Sequence, residues 1–262
     1  MQERHKNRTL YFQELVQTSK KYFIPYIKQF KQFGQGSRIL EIGCGDGGNL
    51  LPFAQMGCYT LGVDIAETRV AGARKMFNDY NTQGDFIASD VFLLTDLHGS
   101  FDIILCHDVI EHIADKHRFL SLLSQFLARD GIVFMSFPVW QMPFGGHQQI
   151  CKSKIVSHLP FIHLLPKVCY HLILKTFGES DACIKELMSI KETRSPIELF
   201  ERIQKSIGTY DIVDRTLWFI NPHYETKFRL RPRRLSKFLG VIPYIRNFFT
   251  STCFYVLALR DK

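Results

Sequence analysis

One carboxylate, Glu41, stands directly ahead of the run Ile42-Gly43-Cys44-Gly45-Asp46-Gly47-Gly48-Asn49. Ile39-Leu40 precede it and Leu50-Leu51-Pro52-Phe53 follow, so the pattern predicts a buried strand, a glycine hinge and a helix start. Glycines let a backbone turn tightly and lie against a ligand. The spacing Gly43-x-Gly45-x-x-Gly48 fits a dinucleotide-binding loop, which sets a pyrophosphate at a helix N-terminus. Glu41 would repel a pyrophosphate and attract a cation, so the expected ligand is positively charged. Two further apolar runs also end on carboxylates: Tyr59-Thr60-Leu61-Gly62-Val63-Asp64 and Asp85-Phe86-Ile87-Ala88-Ser89-Asp90. Asp64 lies about 20 residues past the hinge, where ribose hydroxyls are held in nucleotide-binding α/β proteins. A fourth run, Phe101 to Cys106, leads into His107, Asp108, Glu111 and His112, and His147 follows a fifth run. Imidazoles at such places suit a general base near neutral pH. Asp108, Glu111 and His112 offer oxygen and nitrogen ligands on one side of a loop and first helical turn, which is the chemistry of a divalent-cation site.

These residues need a scaffold that delivers strand tips to one edge. Residues 37–138 alternate apolar runs with helical patterns: Ala66 to Tyr80, then Ala114 to Ala128 with Asp130-Gly131 at its end, then the strand Gly131 to Pro138. Such alternation implies parallel strands with right-handed crossovers, and ligands at the carboxyl ends of the strands. Residues 8–33 predict a helical extension that Pro25 kinks. Residues 139–208 break the alternation. Trp140 to Gly146 is an aromatic loop rich in Gly and Pro, 150–177 is apolar, and 181–207 predicts one or two amphipathic helices with Ser195-Pro196 at a start. Residues 210–220 and 252–259 predict the last strands. The expected organisation is an N-terminal extension (1–36), a core (37–138 and 209–262) and an inserted substrate lid (139–208).

The tips together resemble the class I S-adenosylmethionine-dependent methyltransferases, within the type 11 and ubiquinone-biosynthesis-like group, whose first motif is an acidic residue followed by GxGxG. Here the matching positions are Glu41, Gly43, Gly45 and Gly47. S-adenosylmethionine carries an ammonium and a sulfonium and no phosphate, which agrees with Glu41. The resemblance implies an α/β fold, a Rossmann-like seven-stranded mostly parallel sheet with an antiparallel last strand, helices on both faces, and a helical lid after strand 5. It implies that Asp64 takes the ribose hydroxyls, that Ile65 packs on the adenine, and that Asp90, with Val91 beside it, faces the adenine amino group. His107 falls in both the cofactor set and the catalytic set, the latter with His112 and His147. The Asp108-x-x-Glu111-His112 spacing is similar to an acidic-x-x-Glu-His element of metal-assisted O-methyltransferases, with His147 as a further ligand. Glu-His here also occurs in members that use no metal, and no metal is assigned. The implied cofactor is S-adenosylmethionine, with S-adenosylhomocysteine as product.

Composition narrows the setting. The chain has 262 residues, a formal net charge of +8 and seven scattered cysteines. Without a CxxC pair or a signal peptide, reduced thiols in a cytoplasm are expected. No apolar run approaches the roughly 20 residues of a membrane span. The expected activity is O-methylation of a small-molecule acceptor. The alternatives are a methyltransferase acting on RNA or another polyanion, suggested by the basic stretch Lys227 to Lys237, and a metal-assisted O-methyltransferase. Nucleic acid is disfavoured by the lack of an RNA-binding module. Membrane contact through Phe161 to Phe177, with Lys167 and Lys175, ranks behind packing of the lid.

Overall fold

The structure is a computed structural model that describes residues 7–260. Its first helix, α1 (Arg8–Thr18), runs through a wide π-helical turn at Ser19–Phe23 into α2 (Ile24–Ile27). Pro25 cannot donate to the turn before it, and the helix widens there instead of breaking. The chain then enters β1 (Arg38–Ile42), α3 (Leu51–Gln55), β2 (Tyr59–Asp64), α4 (Glu67–Asp79), β3 (Asp85–Ala88), β4 (Phe101–His107), α5 (Lys116–Phe126) and β5 (Leu127–Phe137). These five strands are parallel neighbours in the order β3-β2-β1-β4-β5. Leu40 and Ile42 face one core and Ile39 the other, so β1 is covered on both faces.

One boundary differs from expectation. Asp130-Gly131 does not end a helix: α5 stops at Phe126, and β5 begins at Leu127 and carries both residues within it. The ladder to β4 shifts register between Phe101 and Ile103, which takes up the irregular start.

Between β5 and the next long strand come α6 (Lys154–His158), α7 (Lys167–Thr176), α8 (Asp181–Thr193) and α9 (Ile197–Ile207). Tyr170, Leu174, Ile184 and Leu187 form a small core of their own there. The helix α9 ends on Gly208 at φ +71, the left-handed stop that glycine takes without strain. The last elements are β6 (Tyr210–Ile220), α10 (His223–Phe228), β7 (Arg233–Arg234), α11 (Lys237–Gly240), α12 (Ile245–Phe248) and β8 (Thr252–Leu259). As expected, β8 inserts antiparallel, between β5 and β6. The sheet has eight strands among the described residues, where seven were expected, because the short β7 adds an edge to β6.

Rings lock the N-terminal helix to the sheet. Phe23 lies 5.0 Å from Phe134 and 5.5 Å from Phe254, and Tyr26 lies 5.8 Å and 5.4 Å from the same two rings. These contacts carry α1 over the carboxyl edge of the strands, where the acidic tips converge.

Candidate active site

The glycine loop is folded around its own carboxylates. Gly43 at φ +71 lets its amide reach the Val63 carbonyl at 2.7 Å, and a Cβ there would overlap Val109. Gly45, at φ +52, has open space where a Cβ would stand. Its amide donates to Asp64 Oδ2 at 2.9 Å, and the Ala66 amide donates to Oδ1 at 2.8 Å. Asp64 is thereby held at the β2 tip beside the loop. Ile65, next to it, is 77% exposed, and Leu93 beyond Asp90 is 73% exposed. The Ser89 amide bonds the Asp64 carbonyl, which holds these two tips side by side. Asp90 accepts from the Phe92 amide at 3.0 Å, and Val91 is buried beneath.

Glu41 is buried. Asn49 donates to its Oε1 at 2.7 Å, while Oε2 has no hydrogen-bond partner. Burial, with Asp64 nearby, raises its carboxyl to about 8. Asp46, in the same loop, is buried and paired with Arg8 of α1 and with Arg69 of α4, the latter at 2.7 Å. Both arginines also line a cavity of about 320 Å³. Its other walls are Tyr11 of α1, the turn bearing Asp108 and His112, the loop bearing Met142, Phe144, His147 and Ile150, and His223, Tyr224 and Lys227 of α10.

The turn Ile110–His112 is fastened from below. Lys116 Nζ donates to the carbonyls of Ile110 at 2.8 Å and Ile113 at 2.6 Å, and also to Thr193 of α8. The Thr193 hydroxyl donates in turn to the Glu111 carbonyl. Asp108 and His147 both adopt left-handed backbone, φ +54 and +58. Asp and His tolerate that region better than most residues, and such conformations cluster at functional sites. Glu111, His112 and His147 converge, their ligating atoms all within 4.8 Å of one another. Each imidazole Nε2 lies 3.9 Å from Glu111 Oε1, and both Glu111 oxygens are buried without a hydrogen-bond partner. Burial and the neighbouring Asp108 hold the Glu111 carboxyl well above the usual carboxylate range. Burial pushes His112 down, with Asp108 opposing it.

The amino-acid sequence matches the methyltransferase-domain family over residues 11–148. The chain belongs to that family. It is 31% identical to a ubiquinone biosynthesis O-methyltransferase of Bartonella quintana over 44% of this chain and 49% of that protein. It is 35% identical to the Mesorhizobium japonicum protein of the same name over 39% and 41%. The chain thus spans half or less of the curated relatives it matches. In fold it is similar to a phosphoethanolamine N-methyltransferase of Haemonchus contortus solved with S-adenosylmethionine. The TM-score there is 0.60 at 15% identity, over 99% of this chain and 59% of that one. The class is the S-adenosylmethionine-dependent one, and the cofactor is S-adenosylmethionine.

The crevice fits that cofactor. Glu41 Oε2 is buried without a hydrogen-bond partner, the space above Gly45 is one a side chain would fill, and exposed apolar surface at Ile65 and Leu93 flanks the two acidic tips. The Glu111 oxygens with His112 and His147 likewise fit a divalent cation. Asp108, the fourth candidate, stands outside that cluster among the described residues.

Two side chains point elsewhere than the linear order suggests. His107 does not line the cavity: its ring packs 5.0 Å from Phe23, with Nδ1 3.2 Å from Ser136 Oγ and 3.5 Å from Asp108 Oδ1. Trp140, at the start of the aromatic loop that follows β5, is buried 4.6 Å from the His163 ring, with its carbonyl 2.7 Å from His163 Nε2. Burial pushes His163 down to about 4, so the ring is neutral and its Nε2–H donates. Sequence reasoning missed Arg8, Tyr11, Asp46 and Arg69, because their meeting joins three separate elements. His223 and Tyr224 join the cavity from α10, past the end of the predicted strand 210–220. Here His223 is held between Thr18 Oγ1 at 2.9 Å and Glu14 at 3.9 Å.

Proposed function

We propose that this methyltransferase moves the sulfonium methyl of S-adenosylmethionine to an oxygen of a small-molecule acceptor held in the cavity between α1, the 108–112 turn, the 138–150 loop and α10. The observation that carries it is the grip of Arg8 and Arg69 on Asp46: the residues that wall the cavity also fasten the glycine loop, so acceptor and cofactor share one chamber. Glu41 would pair with the cofactor's ammonium, Gly43, Gly45 and Gly47 would let its chain lie close, and Asp64 would take the ribose hydroxyls. Ile65 and Leu93 would flank the adenine, with Asp90 and Val91 at its edge. Methyl transfer from a sulfonium needs chiefly an aligned nucleophile. His112 and His147 face the acceptor, and either takes the hydroxyl proton. His107 acts beneath them, holding Asp108 through Nδ1. Residues 139–208 serve as the lid, tied to the site by Thr193 and Lys116.

Oxygen is favoured over nitrogen because two imidazoles and Asp108 face the cavity, and because the curated relatives are named O-methyltransferases. Mass spectrometry of products from matched phenol and aniline acceptors tests this. O-methyl product is expected, and N-methyl product alone would refute it. A second reading has its own support in the Glu111–His112–His147 cluster. A divalent cation held there would lower the pKa of the acceptor hydroxyl. Glu111 and the two histidines would bind it, and Asp108 would add negative charge nearby.

A further inference from the structure

We infer that this methyltransferase docks on anionic membrane surface through a face built from α7, α11 and α12. Two stretches supply that face, residues 150–178 and 226–250. Together they hold eleven Lys and Arg and no Asp or Glu, so they carry more than the whole net charge of +8. They make up about a fifth of the chain, yet contain fifteen of the twenty-two exposed large apolar side chains of the described residues.

The apolar residues are ordered. On α7, Tyr170 and Leu174 point into the lid's own core. Val168 and Leu172, one helical turn apart, lie on the opposite side and are 78% and 62% exposed. A short helix of an ordinary surface would put polar residues there. Phe238 at 76% and Val241 at 70% do the same on the α11 segment. The two stretches meet: the Phe161 and Phe248 rings lie 6.4 Å apart. The basic chains are interleaved with them, Lys175 on the α7 side and Arg229, Arg231, Arg233 and Lys237 on the other. Lys167 and Arg246 are ion-paired within the chain, with Glu192 and Glu198 respectively, and are left out of the docking set.

Large aliphatic chains among cations, in stretches that carry no carboxylate of their own, match the boundary of an anionic bilayer, where the apolar groups enter the acyl edge and the cations meet phosphates. A nucleic acid would use the arginines and leave Val168, Leu172 and Val241 without purpose. A second copy of the chain would bring like charges together. The face adjoins the acceptor cavity, because the Phe161 amide bonds the Pro143 carbonyl at 2.7 Å and Lys227 lines the cavity wall. Docking rests on this surface alone and holds whatever the acceptor is.

Flotation of the full chain with phosphatidylcholine vesicles, with and without phosphatidylglycerol, tests the inference. Binding to the anionic vesicles is expected, weakening with salt. Val168→Ser with Leu172→Ser, and separately Phe238→Ser with Val241→Ser, should each weaken it at least about tenfold. Arg231→Ala with Arg233→Ala and Lys237→Ala should do the same. Calorimetry with S-adenosylhomocysteine reports whether each variant keeps its folded cofactor site. Three outcomes would overturn the inference. One is no vesicle binding by the parent chain. Another is binding untouched by the apolar changes and competed by duplex RNA. The third is a concentration-dependent dimer, abolished by the same apolar changes, in place of vesicle binding.

Discussion

Replacing Glu41 with Gln should stabilise the ligand-free protein at alkaline pH and weaken its hold on the cofactor. The Glu41 carboxyl is buried against Asn49, and burial raises it from an ordinary 4.5 to about 8. The unfolded chain releases this proton near 4.5, while the folded chain keeps it to about 8. Between those values the native state binds more protons, so the group's contribution favours folding most at low pH and diminishes as pH rises through the window. Each pH unit is worth about 1.4 kcal/mol, so the full penalty above that window approaches about 5 kcal/mol as an upper bound. Gln keeps the shape and an oxygen for the Asn49 amide without the charge. Urea midpoints of parent and variant should therefore diverge as pH rises, with the variant the more stable. Binding should respond in the opposite sense. The parent's carboxylate gains the ligand's ammonium, a charge-assisted contact worth about 1.5–3 kcal/mol, so the variant's affinity should fall roughly 10- to 100-fold. Parent affinity should also strengthen as pH rises towards 8, and this slope should vanish in the variant. Parallel stability curves, or an unchanged calorimetric affinity for S-adenosylhomocysteine, would refute the electrostatic reasoning.

Asp64→Ala should weaken S-adenosylmethionine binding at least about tenfold in calorimetry, since it removes the carboxylate proposed for the ribose hydroxyls and the anchor of the Gly45 amide. Gly43→Ala should lower thermal stability by about 1–3 kcal/mol and abolish cofactor binding, because its positive φ and the overlap with Val109 both oppose a Cβ. His147→Ala combined with His112→Ala should cut turnover about 100-fold with S-adenosylhomocysteine affinity unchanged, since under the proposed mechanism either imidazole alone can still take the acceptor's proton. A loss of affinity instead would move the pair to the cofactor's side. Under the metal reading, chelator treatment should slow turnover and added magnesium or manganese restore it, with Glu111→Gln insensitive to both; unaltered turnover after chelation removes that reading.

Much of the fold was legible in the linear order, for local reasons. Strand, hinge and helix are written in the period of the apolar residues, and the acidic tips follow each run directly. The antiparallel insertion of β8 follows from the family resemblance, and Cys253 to Leu257 is apolar enough to be buried on both faces. The edge strand β7 left no trace, because two arginines pairing with Trp218 and Ile220 have no periodicity to read. The extent of β5 was obscured because Asp130-Gly131 reads as a turn wherever tertiary pairing does not overrule it.

The residues of the site divide in the same way. Glu41, Gly43, Gly45, Asp64 and Asp90 lie at strand ends, and position along a strand decides which edge a residue reaches. The amino-acid sequence by itself determined the class of the protein and the charge its crevice expects of a ligand. Only the tertiary structure decided which side chains share a chamber. Arg8 reaches Asp46 across 38 residues, Thr193 reaches Glu111 across 82, and His147 meets Glu111 from another loop. It also turned His107 onto Phe23 and Trp140 onto His163, away from the cavity. Strand direction is a local property carried by each residue and its neighbours. The aim of a loop side chain depends on what else is buried beside it, and that is known only when the whole chain is packed.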